Sequence, residues 1–473
     1  MKIKKELTMK QMFKLFFIGL SFWLGFVSVC LADNRTSDEA KGLGAQGIEA
    51  KLAENLTLSD MLVHAYGSNP AVTASKKSWQ VFIENYRIGT SYPDPQISTT
   101  FYPSPIETRL GPQDWNLTLS QAIPFPGTLS QKGKVLESDV TISRLKLDRT
   151  VKEMVRDLSS AYYELVYIQK AISIAQANLR LNKELVRLGD NAYALDRAQL
   201  YDISKARAGT AQIQYDILLL KALEQTEKAG INTLLNREPN APLGRAMGLD
   251  PREPVYTLEA VYDLAMVHQE DIRIANEAFA QSKESVKLAK LQNLPSFKLG
   301  LFYAGIGKPD VPNPPSNAGD DALGIQMGLN LPLWFGKNRS QTAKALALKE
   351  KARADKDLVA NKIKDRISRL WFKLDNSRRL ITLYQDEMLP QAMAQVRTAQ
   401  TWVEQGEGSL ADFLEIQATA YNFQLSLERA RADFGQTLVK LEQLAGVVLD
   451  RKIQMNIEPE KDFPAGADQE SRS

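Results

Sequence analysis

Two acids three positions apart, Asp412 and Glu415, lie in the run G-E-G-S-L-A-D-F-L-E at 406–415. On a helix that spacing places both carboxylates on one face. Such a pair could concentrate cations at a surface, but acids near a helix start are also favourable with no further role. The other reactive residue types form no constellation. His64 and His268 each stand alone, outside any metal-ligand spacing, and the eleven methionines form no close pair suited to a soft metal. G-L-G-A-Q-G at 42–47 matches the dinucleotide fingerprint formally, yet no strand precedes it and no βαβ unit surrounds it. No nucleophile elbow or phosphate loop stands in supporting context. The sequence therefore predicts a non-enzyme with no cofactor and no resident metal.

Charge and compartment narrow the class further. The formal charge of the 473-residue chain is +3. Lys2, Lys4, Lys5, Lys10 and Lys14 against Glu6 give the first 32 residues +4, so the remainder carries −1. That balance offers no nucleic-acid argument. The basic start is followed by an apolar run of 15 residues, Leu15 to Val29, and then C-L-A, which reads as a secretory signal. Cleavage after Ala32 leaves a mature chain without cysteine; the rival is lipidation of Cys30, for which Val29 is bulky. No later stretch approaches the roughly 20 apolar residues of a spanning helix.

The elements that would position the acids are written twice. Shifted by 200 positions, Thr57-Leu58 falls on Thr257-Leu258 and Pro95 on Pro295. Each half opens with a helix capped by threonine, the first running from Thr57 towards Tyr92. A pair of short alternating runs follows: Gln96–Tyr102 and Trp115–Gln121, then Phe297–Tyr303 and Ile325–Leu331. Turn-forming loops separate the runs of each pair, the second loop spanning 304–321. The second runs end in I-P-F-P-G (Ile123 to Gly127) and L-P-L-W-F-G (Leu331 to Gly336). There Pro124, Pro126, Gly127, Pro332 and Gly336 are expected to set strand-to-helix bends. A long helix follows each bend. The first, 128–189, carries the stripe Val151, Val155, Leu158, Tyr162, Leu165, Ile168, Ile172, Ala175, Leu179, with the three-and-four spacing of coiled-coil packing. Breaks at 189–196 and 405–408, with Gly189, Asp196, Gly406 and Gly408 as turn residues, send the chain back in a second helix. Pro390 is expected to interrupt the helix near Leu389. The division is a signal at 1–32, an extended segment at 33–55, repeats at 56–245 and 246–450, and a polar tail at 451–473.

Four short strands cannot close a barrel, and an open edge cannot sit in lipid, where each unpaired backbone group costs several kcal/mol. Strands entering a membrane must therefore close with copies from other subunits. Alternation alone fits equally a soluble sheet packed on a core. Helices of roughly 90 Å in a secreted chain favour an object spanning outer membrane and periplasm. A secreted coiled-coil scaffold is the alternative of another class.

Over 55–450 the chain resembles the TolC family of outer-membrane efflux proteins. The motifs are T-L-S-D-M-L-V-H-A-Y-G-S-N-P at 57–70, Q-A-I-P-F-P-G at 121–127, L-N-L-P-L-W-F-G at 329–336 and G-E-G-S-L-A-D-F-L-E at 406–415. The resemblance implies a mainly α chain with a small β part. Three copies would give four strands each to a twelve-stranded barrel in outer-membrane lipid, above a hollow α-barrel in the periplasm of a Gram-negative bacterium. It also implies a homotrimeric exit duct joined by a periplasmic adaptor (a membrane fusion protein) to an inner-membrane transporter. The P-F-P-G and P-L-W-F-G turns look most like the heavy-metal branch of the resistance-nodulation-division pumps; type I secretion and drug-efflux ducts share the fold. Within the family pattern Asp412 and Glu415 fall on the acidic pore rings at the hairpin tips, with Asp202 their first-half counterpart. The chain departs from the pattern at Asp196, where glycine is expected, at Gly408, where some members carry a gate arginine, and at Val403, where tyrosine is usual.

Overall fold

The computed structural model describes residues 49–194, 199–248, 252–405 and 407–451. Its element order repeats. The first half runs α1 (Leu58–Ser68), α2 (Pro70–Thr90), β1 (Gln96–Thr108), β2 (Gly111–Ile123), α3 (Thr128–Ala194) and α4 (Leu200–Leu234). The second runs α5 (Leu258–His268), α6 (Glu270–Leu291), β3 (Ser296–Ile306), β4 (Ala322–Asn330), α7 (Phe335–Thr382), α8 (Leu389–Gln405) and α9 (Leu410–Ala445). The chain is mostly helical, with one four-stranded antiparallel sheet in the order β1-β2-β3-β4. Two hairpins thus join edge to edge through β2 and β3.

Local chemistry explains the breaks. Thr57 caps α1, its hydroxyl accepting from the Asp60 N–H at 3.1 Å, and Thr257 caps α5 in the same way. The single first helix expected up to Tyr92 is two helices. Pro70 opens α2 at its first position, where its missing N–H costs nothing, and Asn69 caps it by accepting from Ala71 and Val72. Gln269, two hundred positions on, caps α6 through the Ile272 N–H. Asn69 also donates to the Leu234 carbonyl at 2.9 Å, closing the free end of α4. Asn69→Ala removes both roles and should cost about 1–2 kcal/mol, read as an earlier unfolding midpoint of the first-half junction in hydrogen exchange.

Three other expectations need correction. β1 and β2 are 13 residues each, because the expected loop after Tyr102 continues as strand across a register shift between Phe101 and Ile106. Residues 49–54, expected extended, are helical and seat Leu52 in the core. Pro390 does not interrupt its helix: a π-turn at Leu383–Met388 directly before it shifts the hydrogen-bond register and α8 runs on.

Beneath the sheet the helices keep the strand order. α2 packs on α3, α3 on α6 and α6 on α7, so the layer α2-α3-α6-α7 continues the sheet downward, one helix thick. Two cores lie lower. One gathers Met61, Val72, Leu158, Tyr162, Leu165 and Ile231; the other gathers Val261, Leu264, Ile363, Ile367, Phe434 and Leu438. The expected stripe on α3 supplies the first of these. α3, 67 residues long, spans on the order of 100 Å.

Candidate functional site

Strand register sorts the sheet residues onto two faces. Ile97, Leu119, Leu301 and Ile325 stand opposite one another in one row. Gln121, Leu299 and Met327 form another, and Ile123, Phe297 and Leu329 a third. Apart from the polar Gln121 and the half-buried Ile123, these side chains are apolar and exposed, Ile325 at 75% and Met327 at 79%. The opposite face holds Ser98, Thr118, Ser120, Gln326 and Asn330, with glycines 300, 324 and 328 between them. Among the described residues, Lys298 is the one charged side chain on that face in the rows from Thr100 and Asn116 down to Ala122 and Gly328. The outer edges of β1 and β4 have no strand partner among the described residues. Such a sheet has an oily side, a wet side and two unsatisfied edges.

The bends below the sheet differ between the halves. Gly127 takes φ +87°, a left-handed conformation suited to glycine, and follows Pro124 and Pro126 into α3. In the second half Pro332 makes the bend, its carbonyl accepting from the Asn338 side chain at 2.8 Å. Gly336 is not part of it. It sits inside the first turn of α7 with no left-handed backbone, so its expected turn role does not hold.

At the other end of the molecule the hairpin tips meet. Gly189, expected to turn the chain, lies inside α3, which continues to Ala194. It is buried because it is a contact point. A Cβ there would stand 2.9 Å from Leu410 Cδ2 and 3.2 Å from Ile203 Cγ1. One missing side chain thus lets the first hairpin close on the starts of both returning helices. Asp202 lies one residue from the Ile203 contact and Asp412 two from the Leu410 contact, so both acids belong to the same end of the molecule. Asp412 and Glu415 are exposed on one face of α9, as the spacing predicted; Asp202 is half-buried in the first turn of α4. Asp196 and Gly406 lie outside the described residues.

The second tip is built on one carbonyl. The N–H groups of Glu407 and Gly408 both donate to the Trp402 oxygen, at 3.0 and 3.1 Å. A Cβ on Gly408 would sit 2.9 Å from the Trp402 Cβ, so close approach requires glycine there. Ser409 then caps α9 through the Asp412 N–H. Beside the turn an open groove of about 540 Å³ runs along α8 and α9, lined by Thr398, Trp402, Asp412, Phe413 and Ile416. Trp402 was missed as a tip residue, since nothing in an aromatic side chain announces that its carbonyl will organise a turn.

Midway, the two halves are tied by ions. Arg429 on α9 donates to both Glu164 oxygens at 2.8 Å, pairs with Asp433 and stacks over the Tyr167 ring. Burial works against the Arg429 charge, but hydrogen bonds to Asp433 and Glu164 outweigh it and hold its pKa above the ordinary value. Among the described residues no group of His, Cys, Asp and Glu could hold a metal ion, and no helix is long and apolar enough to cross a membrane.

A profile of the outer membrane efflux protein family matches residues 261–447. The outer membrane efflux protein BepC of Brucella suis is 23% identical over 397 residues, covering 81% of this chain and 84% of BepC. Nodulation protein T of Rhizobium leguminosarum is 22% identical over 340 residues, covering 70% of each. The crystal structure of the outer membrane protein VceC from Vibrio cholerae superposes with a TM-score of 0.68 at 18% identity, over 83% of this chain and 96% of VceC. With the repeated strand–bend–helix plan and the two-faced sheet, these matches make the chain similar over most of its length to outer membrane efflux proteins, whose family profile residues 261–447 match.

Proposed function

We propose that three copies of this chain form the exit duct of a tripartite efflux pump in the outer membrane of a Gram-negative bacterium. The sheet carries this reading. Its strands of 9 to 13 residues match the membrane-crossing length of a tilted strand, its apolar face suits lipid, and its open edges demand closure by other copies. Three copies of four strands give a twelve-stranded wall, continued below by the layer α2-α3-α6-α7. The duct conducts passively. A periplasmic adaptor docks it to an inner-membrane transporter of the resistance-nodulation-division type, which supplies the energy. The heavy-metal branch, carried by the P-F-P-G and P-L-W-F-G turns, competes with drug-efflux and type I secretion ducts of the same fold. The mature product, extracted from membranes, should run as a heat-modifiable trimer and conduct in planar bilayers. A water-soluble monomer with no affinity for detergent micelles would instead support a secreted coiled-coil scaffold.

The tips are proposed as the gate. Asp412 and Glu415 from three copies make two rings of carboxylates that favour cations at the periplasmic entrance. Opening is an iris-like shift of α4, α8 and α9 about the Gly189 contact. Asp412→Asn with Glu415→Gln should lower the cation preference of single channels in planar bilayers. Unchanged conductance and selectivity would remove these acids from the constriction.

A further inference from the structure

Charge is spread unevenly along the duct. Helix α7 carries fourteen lysines and arginines against five acids between Phe335 and Thr382, an excess of nine in a chain whose overall charge is +3. The equivalent first 48 residues of α3 carry eight against six. From the tip upward α9 is acidic, with five acids against three bases. Solvation alone gives no reason for one of two duplicated helices to gain so much charge.

The cations sit where a wall helix meets solvent. Lys337, Lys344, Lys351, Lys362, Arg369 and Lys373 are spaced by seven, seven, eleven, seven and four, which keeps them on one side of α7. All six are exposed. Lys351 and Arg369 pair with Asp355 and Asp365 on the same helix, whereas Lys337, Lys344, Lys362 and Lys373 form no ion pair among the described residues. Lys362 and Lys364 flank the buried Ile363, each about 100° around the helix from it. The side of Lys362 is therefore strongly basic, while the side of Lys364, where Arg339 and Arg353 stand with it against Asp357 and Asp375, keeps a smaller excess, so either side brings cations into the lumen and the Lys362 side brings the most. A neighbouring copy does not neutralise them through the other edge of the layer: the one acid of α2 is Glu84, already paired with Arg87 at 2.8 Å.

The sheet adds an independent pointer. Lys298 lies on the wet face, in the row with Ala122 and Gly328, exposed and without an ion pair among the described residues. Three copies place a ring of three ammonium groups at the foot of the β-barrel, above the basic helices.

We propose that the upper lumen selects for anions, so that the cargo of this duct is a solute bearing carboxylate or phosphate groups rather than a free metal cation. The proposal rests on the trimeric-duct reading. Rings of lysine and arginine stabilise anions in a pore and raise their local concentration. The acidic tips oppose this only at the entrance.

The test is the reversal potential of purified full-length trimers in planar bilayers under a potassium chloride gradient at low ionic strength, where screening is weakest. In the Asp412→Asn/Glu415→Gln channel, chloride should permeate more readily than potassium, by about twofold or more. Adding Lys298→Glu should cut that ratio at least about twofold, as should Lys337→Gln, Lys344→Gln, Lys362→Gln and Lys373→Gln together. A trimer that conducts but prefers potassium, or whose selectivity neither set of changes moves, overturns the anion assignment alone. Protein that forms no conducting trimer overturns the duct reading and this one with it.

Discussion

Ile325→Arg should abolish assembly of the proposed outer-membrane trimer. Ile325 lies near the middle of β4, three-quarters exposed, in the apolar row with Ile97, Leu119 and Leu301. A guanidinium on the lipid face of a transmembrane strand costs about 2–4 kcal/mol at the bilayer midplane. In the proposed three-copy wall the penalty counts three times, because each copy carries the change. Gln326→Arg, one residue on, is the control: its side chain leaves the opposite face and meets water. The expected result is loss of heat-modifiable trimer from the membrane fraction for Ile325→Arg and normal assembly for Gln326→Arg. Equal tolerance of both would mean that the oily face does not meet lipid.

Lys152→Met should be the most damaging single change away from the membrane. Glu270 opens α6 with its side chain 1% exposed, and Lys152 on α3 is its counter-ion. The same ammonium donates to the Gly446 carbonyl at 2.7 Å, so it fastens α3 to the start of α6 and the end of α9 at once. Gly446 makes the junction possible. Its φ is +77°, and a Cβ would stand 2.5 Å from the His268 carbonyl. Removing Lys152 leaves a buried carboxylate without compensation, worth about 3 kcal/mol or more. The Lys152→Met/Glu270→Gln double change removes the stranded charge and should regain much of that loss, measured as the denaturant midpoint of the purified protein. If the double change is as unstable as the single, packing rather than charge holds the joint.

The same joint should be acid-sensitive. Burial, then the charges of Lys152 and Arg273, hold the His268 pKa below its ordinary 6.5. The unfolded chain takes up that proton first, so this stability is present above about pH 6.5 and declines as the pH falls through the unfolded towards the folded value. His268→Gln should flatten that decline in a pH series of denaturant midpoints; an unaltered slope would assign the acid sensitivity to other groups.

What the sequence determined by itself is whatever follows from period and repetition. Alternation in Trp115–Gln121 and Phe297–Tyr303, the three-and-four stripe on α3 and the 200-residue shift are local or self-similar signals. They fixed two helix–strand–strand–helix halves and put Asp412 and Glu415 on one helix face. Threonine caps were equally legible, because the cap bond spans only three residues. Tertiary structure decided the rest. Gly189 read as a turn, since glycine commonly ends helices, but it is a gap that Leu410 and Ile203 fill from other elements. Pro390 read as a break until the π-turn before it absorbed the missing bond. The joining of β2 to β3, the packing of α3 on α6 and the burial of Glu270 against Lys152 all pair residues more than a hundred positions apart. Such contacts depend on packing between elements, whose energy is non-directional and leaves no periodic mark in the chain. That is why the repeated elements could be read from the residues, while the joints between them could not.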